Sequence, residues 1–345
     1  MSRRAVAALA AVLVVVAAAL VASRLLAPTT PLEEALSYAP DTTSRATWTD
    51  WEGVRRELGA DVDASSSAEE VDAFVSDAFA ADLSAMSALG TSAGTMQAEL
   101  GFSPATLQWE LLAQSPEGAV EVLGVGEDTS FDDLAGRLAD AGWTEPEDDD
   151  GVWVGGPDVV ARVGSLTPEL QHVVLLAERR VVLTSDQAPY LEKVVDGDAD
   201  ATAGLGDLAT ALGEPLAAAV YDGAYACERL AMAQADESAR AEADQLVADA
   251  GDVHPLTGFA MGALVGGDLR AVLQVEDADD APGDAEARAQ LAAGPAPGQG
   301  GDFTDRFSVE AAGSDGREIT LDLRPEDGAY VLSDLTSGPV LFATC

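Results

Sequence analysis

Positive charge is scarce in this chain of 345 residues. Lys and Arg together number 18 against 61 Asp and Glu, so the formal net charge is −43, and Lys193 is the sole lysine. A surface this acidic repels phosphate groups. The composition therefore argues against a nucleic-acid-binding protein and against adsorption to an anionic membrane surface. It is typical of a solvated acidic surface.

Histidine is equally scarce, which limits the catalytic chemistry available. The two histidines are His172 and His254, and the chain has no H-E-x-x-H, C-x-x-C, phosphate-loop or dinucleotide-binding glycine pattern. Residues 90–94 match G-x-S-x-G, but they follow a segment predicted to be helical, whereas a nucleophile elbow follows a buried strand. We therefore name no catalytic residue and favour a protein that is not an enzyme. An enzyme here would have to work with carboxylates alone.

The N-terminus carries an export signal. Arg3 and Arg4 precede an unbroken run of Ala, Val and Leu over residues 5–22. This run is longer than a typical secretory signal core and slightly shorter than a typical membrane span. We predict that residues 1–27 are a signal-anchor helix, with cleavage as the alternative. The positive-inside rule then places the rest of the chain outside the cytoplasm, either on a single membrane span or secreted.

Cysteine occurs only twice, at Cys227 and Cys345. Because disulfides persist in oxidising compartments, export favours a disulfide between these two residues. The alternative is two buried free thiols.

The pattern of elements predicts an α+β fold. Hairpins alternate with single helices, which is typical of a mostly antiparallel sheet with helices on one face. We predict a linker over residues 28–48 and two lobes over 49–203 and 204–345. The hairpin–helix unit recurs near 107–142, 171–196 and 258–293, so the two lobes are predicted to be related. We also predict a helix capped by Thr49, a strand over 216–227 and a last strand over 329–333.

One acidic segment has the spacing of a calcium loop. Asp196, Asp198 and Asp200 occupy positions 1, 3 and 5 of such a loop, and Asp207 occupies position 12. Ala201 stands where the loop needs Gly, and position 12 normally carries Glu. The alternative interpretation is a solvated loop between two helices. Calcium is the only cofactor that the sequence suggests.

Four tryptophans are candidates for stacking on sugar rings. They are Trp51, Trp109, Trp143 and Trp153. Two of them lie in apolar predicted strands, so we interpret the set as core residues.

Three stretches resemble an uncharacterised group of exported, membrane-anchored proteins from high-GC actinobacteria. The stretches are residues 35–41 (ALSYAPD), 47–51 (TWTDW) and 101–110 (GFSPATLQWE). The resemblance covers mainly residues 35–145. It implies an exported, membrane-anchored location and a high-GC actinobacterial origin, and it assigns no activity.

The sequence as a whole predicts an exported binding or envelope-associated module with an unknown envelope or extracellular partner. The alternatives are a calcium-dependent adhesion or sensing module and a carboxylate-based hydrolase acting on envelope glycans. Membrane contact is expected through the N-terminal helix only.

Overall fold

A single antiparallel sheet runs through both halves of the chain. The computed structural model describes residues 30–197, 203–251 and 253–345. The strand order is β10-β11-β9-β8-β7-β1-β2-β3-β6-β5-β4. The strands are β1 (Arg45–Thr49), β2 (Leu107–Ser115), β3 (Gly118–Val125), β4 (Trp153–Val154), β5 (His172–Leu176), β6 (Val181–Ser185), β7 (Ala217–Asp222), β8 (Leu256–Ala263), β9 (Leu269–Val275), β10 (Phe307–Asp315) and β11 (Glu318–Pro325). The predicted α+β class with a mostly antiparallel sheet is confirmed.

Helices cover both faces of the sheet. They are α1 (Pro31–Leu36), α2 (Trp51–Leu58), α3 (Ala68–Ala80), α4 (Phe131–Ala141), α5 (Pro157–Val163), α6 (Ala188–Asp196), α7 (Ala203–Leu212), α8 (Glu237–Ala250), α9 (Ala281–Ala292) and α10 (Val331–Thr336). The α1, α6 and α7 helices pack on one face, and the other helices pack on the opposite face, which we call the wide face. The expectation of helices on one face only was wrong, because the central strands carry buried apolar side chains on both faces, and both faces need cover.

Local capping signals placed several helices correctly. The Ser67 hydroxyl accepts from the Glu70 amide and the Glu70 carboxylate accepts from the Ser67 amide, which is a complete capping box at the start of α3. The α4 helix begins after Ser130 and ends at Gly142, whose φ is 106°. Such a positive φ favours glycine and ends the helix.

The linker predicted for residues 28–48 is wrong beyond residue 30. The α1 helix and most of β1 lie in this segment. The β1 strand is stabilised by hydrogen bonds to both β2 and β7, and the local sequence pattern does not predict this pairing. The Thr49 cap is also wrong, since Thr49 ends β1 and Asp50 caps α2 by accepting from the Gly53 amide.

Two predicted strands differ in the second half. The β7 strand ends at Asp222, whose carboxylate accepts from the Tyr225 amide and starts a helical stretch over 223–230. The last predicted strand, over 329–333, is replaced by α10. The buried Asp82 carboxylate accepts from the amides of Leu332 and Ser333 at 2.7 and 3.2 Å, so a residue 250 positions away fixes this turn of helix.

The two halves of the sheet have the same strand topology. The first half runs β1-β2-β3-β6-β5 outward from the centre, and the second runs β7-β8-β9-β11-β10. In each half a helix joins the third strand to the outer strands, namely α4 in the first half and α9 in the second. The sheet is continuous across the predicted lobe boundary, and residues 31–345 form one compact unit.

The register repeats as well as the order. The β2–β3 pairing slips between Leu107 and Trp109, and the β8–β9 pairing slips between Leu256 and Gly258. Counted along the ladders from β1 and β7, these two bulges occupy equivalent positions. The strand pairing therefore assigns each sheet residue of the first half a counterpart in the second.

The predicted disulfide is present. Cys227 and Cys345 are bonded, with their Cα atoms 5.7 Å apart, and the bond closes a loop across 118 residues. The last residues of the chain are also held by Arg288, whose guanidinium donates to the carbonyl oxygens of Phe342 and Thr344.

The predicted signal or anchor, residues 1–27, lies outside the described residues. Within the described ranges, every helix is too short or too polar to cross a bilayer.

Candidate functional site

Two glutamates are buried side by side on the wide face of the sheet. Glu110 lies on β2 and Glu121 on β3, and their side chains are 1% and 0% exposed. Glu110 pairs with Leu123, and Leu112 pairs with Glu121, so the two glutamates are diagonal neighbours on the same face. Buried carboxyl groups are costly unless they are paired or hydrogen-bonded.

Glu110 has a full set of donors. Its Oε2 accepts from the Trp51 indole N–H and from the Ser87 hydroxyl, both at 2.8 Å, and its Oε1 accepts from the Ala88 amide at 2.6 Å. Trp51 is the first residue of α2, and the Asp50 cap fixes the start of that helix. Three donors of this kind favour the ionised carboxylate.

Glu121 has a very different environment. Its carboxyl group is in hydrogen-bond contact with Glu110, and apart from this contact neither oxygen has a partner among the described residues. Burial raises the pKa of Glu121 well above its usual value, and the charges of Glu110 and Glu169 raise it further. Burial also raises the pKa of Glu110, against which its donors act. Of the two groups, Glu121 therefore has the stronger tendency to keep its proton.

Further polar atoms without partners surround this pair. The hydroxyl oxygens of Thr47, Thr49 and Thr184 and the Nε of Arg45 are buried, and none has a hydrogen-bond partner within the described ranges. Strand pairing puts Thr49 opposite Glu110, and Thr184 opposite Glu121. We call these six residues the polar patch: Arg45, Thr47, Thr49, Glu110, Glu121 and Thr184.

The polar patch lies closest to solvent at its Arg45 end. Arg45 pairs with Gln114, which in turn pairs with Ala119. These three residues and Leu112 lie on the wide face and are half-buried. A small molecule would thus have its shortest path to the patch at the Arg45 end.

The second half of the sheet shows what the fold requires at these positions. Register assigns Arg45, Thr47 and Thr49 the counterparts Ala217, Ala219 and Tyr221. It assigns Glu110, Glu121 and Thr184 the counterparts Phe259, Ala271 and Leu321. All six counterparts are buried in the apolar core.

The same topology is therefore completed with apolar and aromatic side chains in one half and with polar ones in the other. Buried polar atoms without partners lower stability. Since the fold does not require them at these positions, the polar patch is the candidate functional site. Departures from local stability rules of this kind are common at functional sites.

Two stretches that stood out in the sequence meet here. Trp48 stacks on Trp109 with ring centroids 5.6 Å apart, on the opposite face of the sheet. Trp51 donates to Glu110 on the wide face. The segments 47–51 and 101–110 thus form one structural unit around the patch.

The predicted calcium residues are not brought together in the described part of the chain. Asp198 and Asp200 lie outside the described residues, and Asp196 is the last residue of α6. Asp207 is exposed on α7, and its carboxylate lies 3.4 Å from the Arg317 guanidinium. Within the described ranges, no three His, Cys, Asp or Glu side chains form a group that could hold a metal ion.

The tryptophans are core residues, as interpreted from the sequence. Trp51, Trp109, Trp143 and Trp153 are all buried. Ser92 of the G-x-S-x-G match is buried in a helical turn, and its hydroxyl accepts from the Thr167 amide at 2.7 Å. It therefore does not sit on a strand-to-helix elbow.

A large depression elsewhere lacks the marks of a built site. It has a volume of about 780 Å³ and lies beside Tyr38, Asp149, Glu178 and Arg179. Arg179 lies over the Tyr38 ring at 5.9 Å. Its charged side chains are exposed, so they remain hydrated without a ligand.

Sequence reasoning missed the polar patch, although a signal was present. Glu121 interrupts the apolar run 119–123, and Glu110 lies with Gln108 in the otherwise apolar stretch 107–113. When the residues on both faces of a strand are mostly apolar, a glutamate within that strand indicates a buried carboxyl group. Only the strand register shows that the two belong to one pair.

No protein-family model matches the chain, and no curated protein or solved structure matches it either.

Proposed function

We propose that this chain is an exported, non-enzymatic binding module that holds a small polar ligand at the polar patch. The observation that carries the proposal is the difference between the halves. Buried polar atoms without partners occur at five of the six positions, all except Glu110, and four of the five counterparts are apolar, the exception being Tyr221. A ligand that supplies the missing partners would recover the free energy that these atoms lose on burial.

Binding is favoured over hydrolysis by the state of the two carboxyl groups. A glycosidase needs an acid and a base on either side of a substrate bond. Here Glu110 is already engaged by Trp51, Ser87 and Ala88, and Glu121 contacts Glu110 itself. The pair therefore acts as a fixed element of the site and leaves no gap for a glycan bond.

Export is the second part of the proposal. It rests on the apolar run that follows Arg3 and Arg4, and on the Cys227–Cys345 disulfide, which suits an oxidising compartment. The partner would then be an envelope or extracellular component, and the net charge of −43 disfavours nucleic acid. Cell fractionation alongside a known cytoplasmic marker protein tests the export proposal. Recovery of the chain in the cytoplasmic fraction would overturn it.

Thermal shift with site variants tests the binding proposal. The full chain is melted with a panel of small polar compounds, both charged and neutral. A binder raises the melting temperature by an amount that grows with its concentration. We expect at least one compound to stabilise the wild type and to lose its effect in Glu121→Leu.

Thr320→Val is a matched control. Thr320 is half-buried on β11, the strand equivalent to β6, but its partner Val272 belongs to the core on the opposite face. The control should keep the shift. A panel in which no compound stabilises the wild type, or in which every shift survives Glu121→Leu, would overturn the proposal.

A further inference from the structure

We infer that the ligand of the polar patch is a neutral, polyhydroxylated small molecule of the sugar or polyol class. This inference rests on the proposed function and adds the chemistry of the ligand. It follows from the charges and from the hydrogen-bonding capacity of the six residues.

The charges within the patch leave no strong preference for an ion. The deep part contains the Glu110 carboxylate, with its donors in place, and the rim contains the Arg45 guanidinium. An anionic ligand would meet Glu110 and Glu169, and the acidic chain repels anions at long range. A cationic ligand would have to pass Arg45 at the end nearest to solvent. A neutral ligand avoids both costs.

The partnerless atoms include both hydrogen-bond donors and acceptors, so they suit a ligand that can both donate and accept hydrogen bonds. Each of the Thr47, Thr49 and Thr184 hydroxyls can donate once and accept, the Glu121 carbonyl oxygen accepts, and Arg45 Nε–H donates. A ligand hydroxyl combines both capacities on one atom, so it can meet a threonine in either direction. Several hydroxyls on one small frame could meet donors and acceptors spread over neighbouring strands.

The arrangement of the patch also fits a short, compact ligand. Thr49, Glu110, Glu121 and Thr184 lie on four adjacent strands, β1, β2, β3 and β6. Neighbouring strands are about 4.8 Å apart, so the patch spans roughly 15 Å. A mono- or disaccharide spans a comparable length, and its end could rest at the half-buried Gln114.

The test uses the full chain and six defined probes. The neutral probes are D-glucose, myo-inositol and trehalose, and the charged probes are succinate, inorganic phosphate and putrescine. Each is added at about 10 mM, where a millimolar binder gives a measurable rise in melting temperature. We expect a neutral probe to raise the melting temperature by about 2 °C or more, and the charged probes to have no site-dependent effect.

Two substitutions at Glu121 distinguish neutral from charged ligands. Glu121→Gln keeps a neutral polar group, so affinity for a neutral probe should stay within about fivefold of the wild type. Glu121→Leu should abolish it, and Thr184→Val should weaken it about tenfold. Thr320→Val should have no effect. Circular dichroism of each variant checks that it folds.

The outcomes distinguish this inference from the proposed function. Stabilisation by succinate, phosphate or putrescine that Glu121→Leu abolishes would overturn the neutral class and leave the binding proposal standing. No site-dependent shift with any probe would overturn both. A neutral shift that survives both Glu121→Leu and Thr184→Val would place the ligand elsewhere and overturn the inference.

Discussion

The indole N–H of Trp51 donates to the carboxylate of Glu110 at 2.8 Å, and both side chains are buried. This bond joins the first turn of α2 to the middle of β2 across 59 residues. Its acceptor is a buried carboxyl group whose three donors favour the ionised form. Bonds to charged groups contribute more to stability than bonds between neutral groups.

Trp51→Phe is therefore expected to lower the free energy of unfolding by about 2–4 kcal/mol, from the lost donor and the lost volume. Trp143→Phe is the matched control, because the Trp143 indole donates at 3.0 Å to a neutral backbone carbonyl of Gln171. Urea unfolding of both variants measures the difference. Equal losses would mean that Glu110 is not ionised in the folded protein.

The Glu110–Glu121 pair predicts a pH dependence of stability. The pKa of Glu121 is raised in the folded protein, first by burial and then by Glu110 and Glu169. In the unfolded chain a glutamate titrates near pH 4.3, at about its ordinary value. Because the folded state binds the Glu121 proton more tightly than the unfolded state, proton binding stabilises the fold. This stabilisation is fully present below about pH 4.3 and is lost as the pH rises through the folded-state pKa of Glu121.

The measurement is urea unfolding from about pH 4 to pH 8 for the wild type and Glu121→Gln. Relative to the variant, the wild type should lose stability with rising pH, by at most about 1.4 kcal/mol per pH unit for one proton. The difference between the two curves cancels the acidic residues that do not interact with Glu121. Parallel curves would show that Glu121 does not retain its proton on folding.

Exchanging residues between the halves tests the cost of the polar patch. Thr184→Val removes a buried hydroxyl that lacks a partner, so the free energy of unfolding should stay level or rise by about 1 kcal/mol. Leu321→Thr places a hydroxyl at the equivalent apolar position, and we expect a loss of about 2–4 kcal/mol. A clear loss of stability in ligand-free Thr184→Val would show that the hydroxyl has a partner in solution.

The disulfide is expected to be a large stabiliser. It closes a loop across 118 residues, for which the chain-entropy model gives about 4–5 kcal/mol. Denaturant unfolding of the wild type and of the Cys227→Ser, Cys345→Ser double variant, both made in an oxidising compartment, measures this. Reductant should lower the midpoint of the wild type and leave that of the double variant unchanged. A wild type insensitive to reductant would contradict the prediction.

Calcium is expected to leave the melting temperature unchanged. Asp207, which a calcium loop would need at position 12, is already paired with Arg317 at the surface. The full chain is melted in EDTA and then in millimolar calcium. A rise of several degrees that Asp196→Asn abolishes would instead establish the loop as a calcium site.

The sequence determined local structure well wherever a side chain acts on its own neighbours. Ser67, Ser130 and Gly142 mark helix ends correctly, because capping involves residues three or four positions apart. The class of fold followed from the alternation of hairpins and helices. The disulfide followed from having only two cysteines.

The remainder depends on contacts between distant residues. The strand β1 has no strong period and forms because β2 and β7 flank it. The α10 helix forms where Asp82 accepts its first amides. The polar patch collects residues from positions 45 to 184, so its composition is a property of strand register and cannot be obtained from spacing along the chain.

The position of β1 has a mechanical consequence. Five strands lie on each side of it in the sheet, and along the chain it follows the α1 helix, which packs on the sheet. Once α1 was pulled away, a tension applied from the N-terminal side would act on a strand hydrogen-bonded along both edges, rather than peel an outer strand away. The body would therefore bear load at its most strongly connected point, beside the residues that form the polar patch.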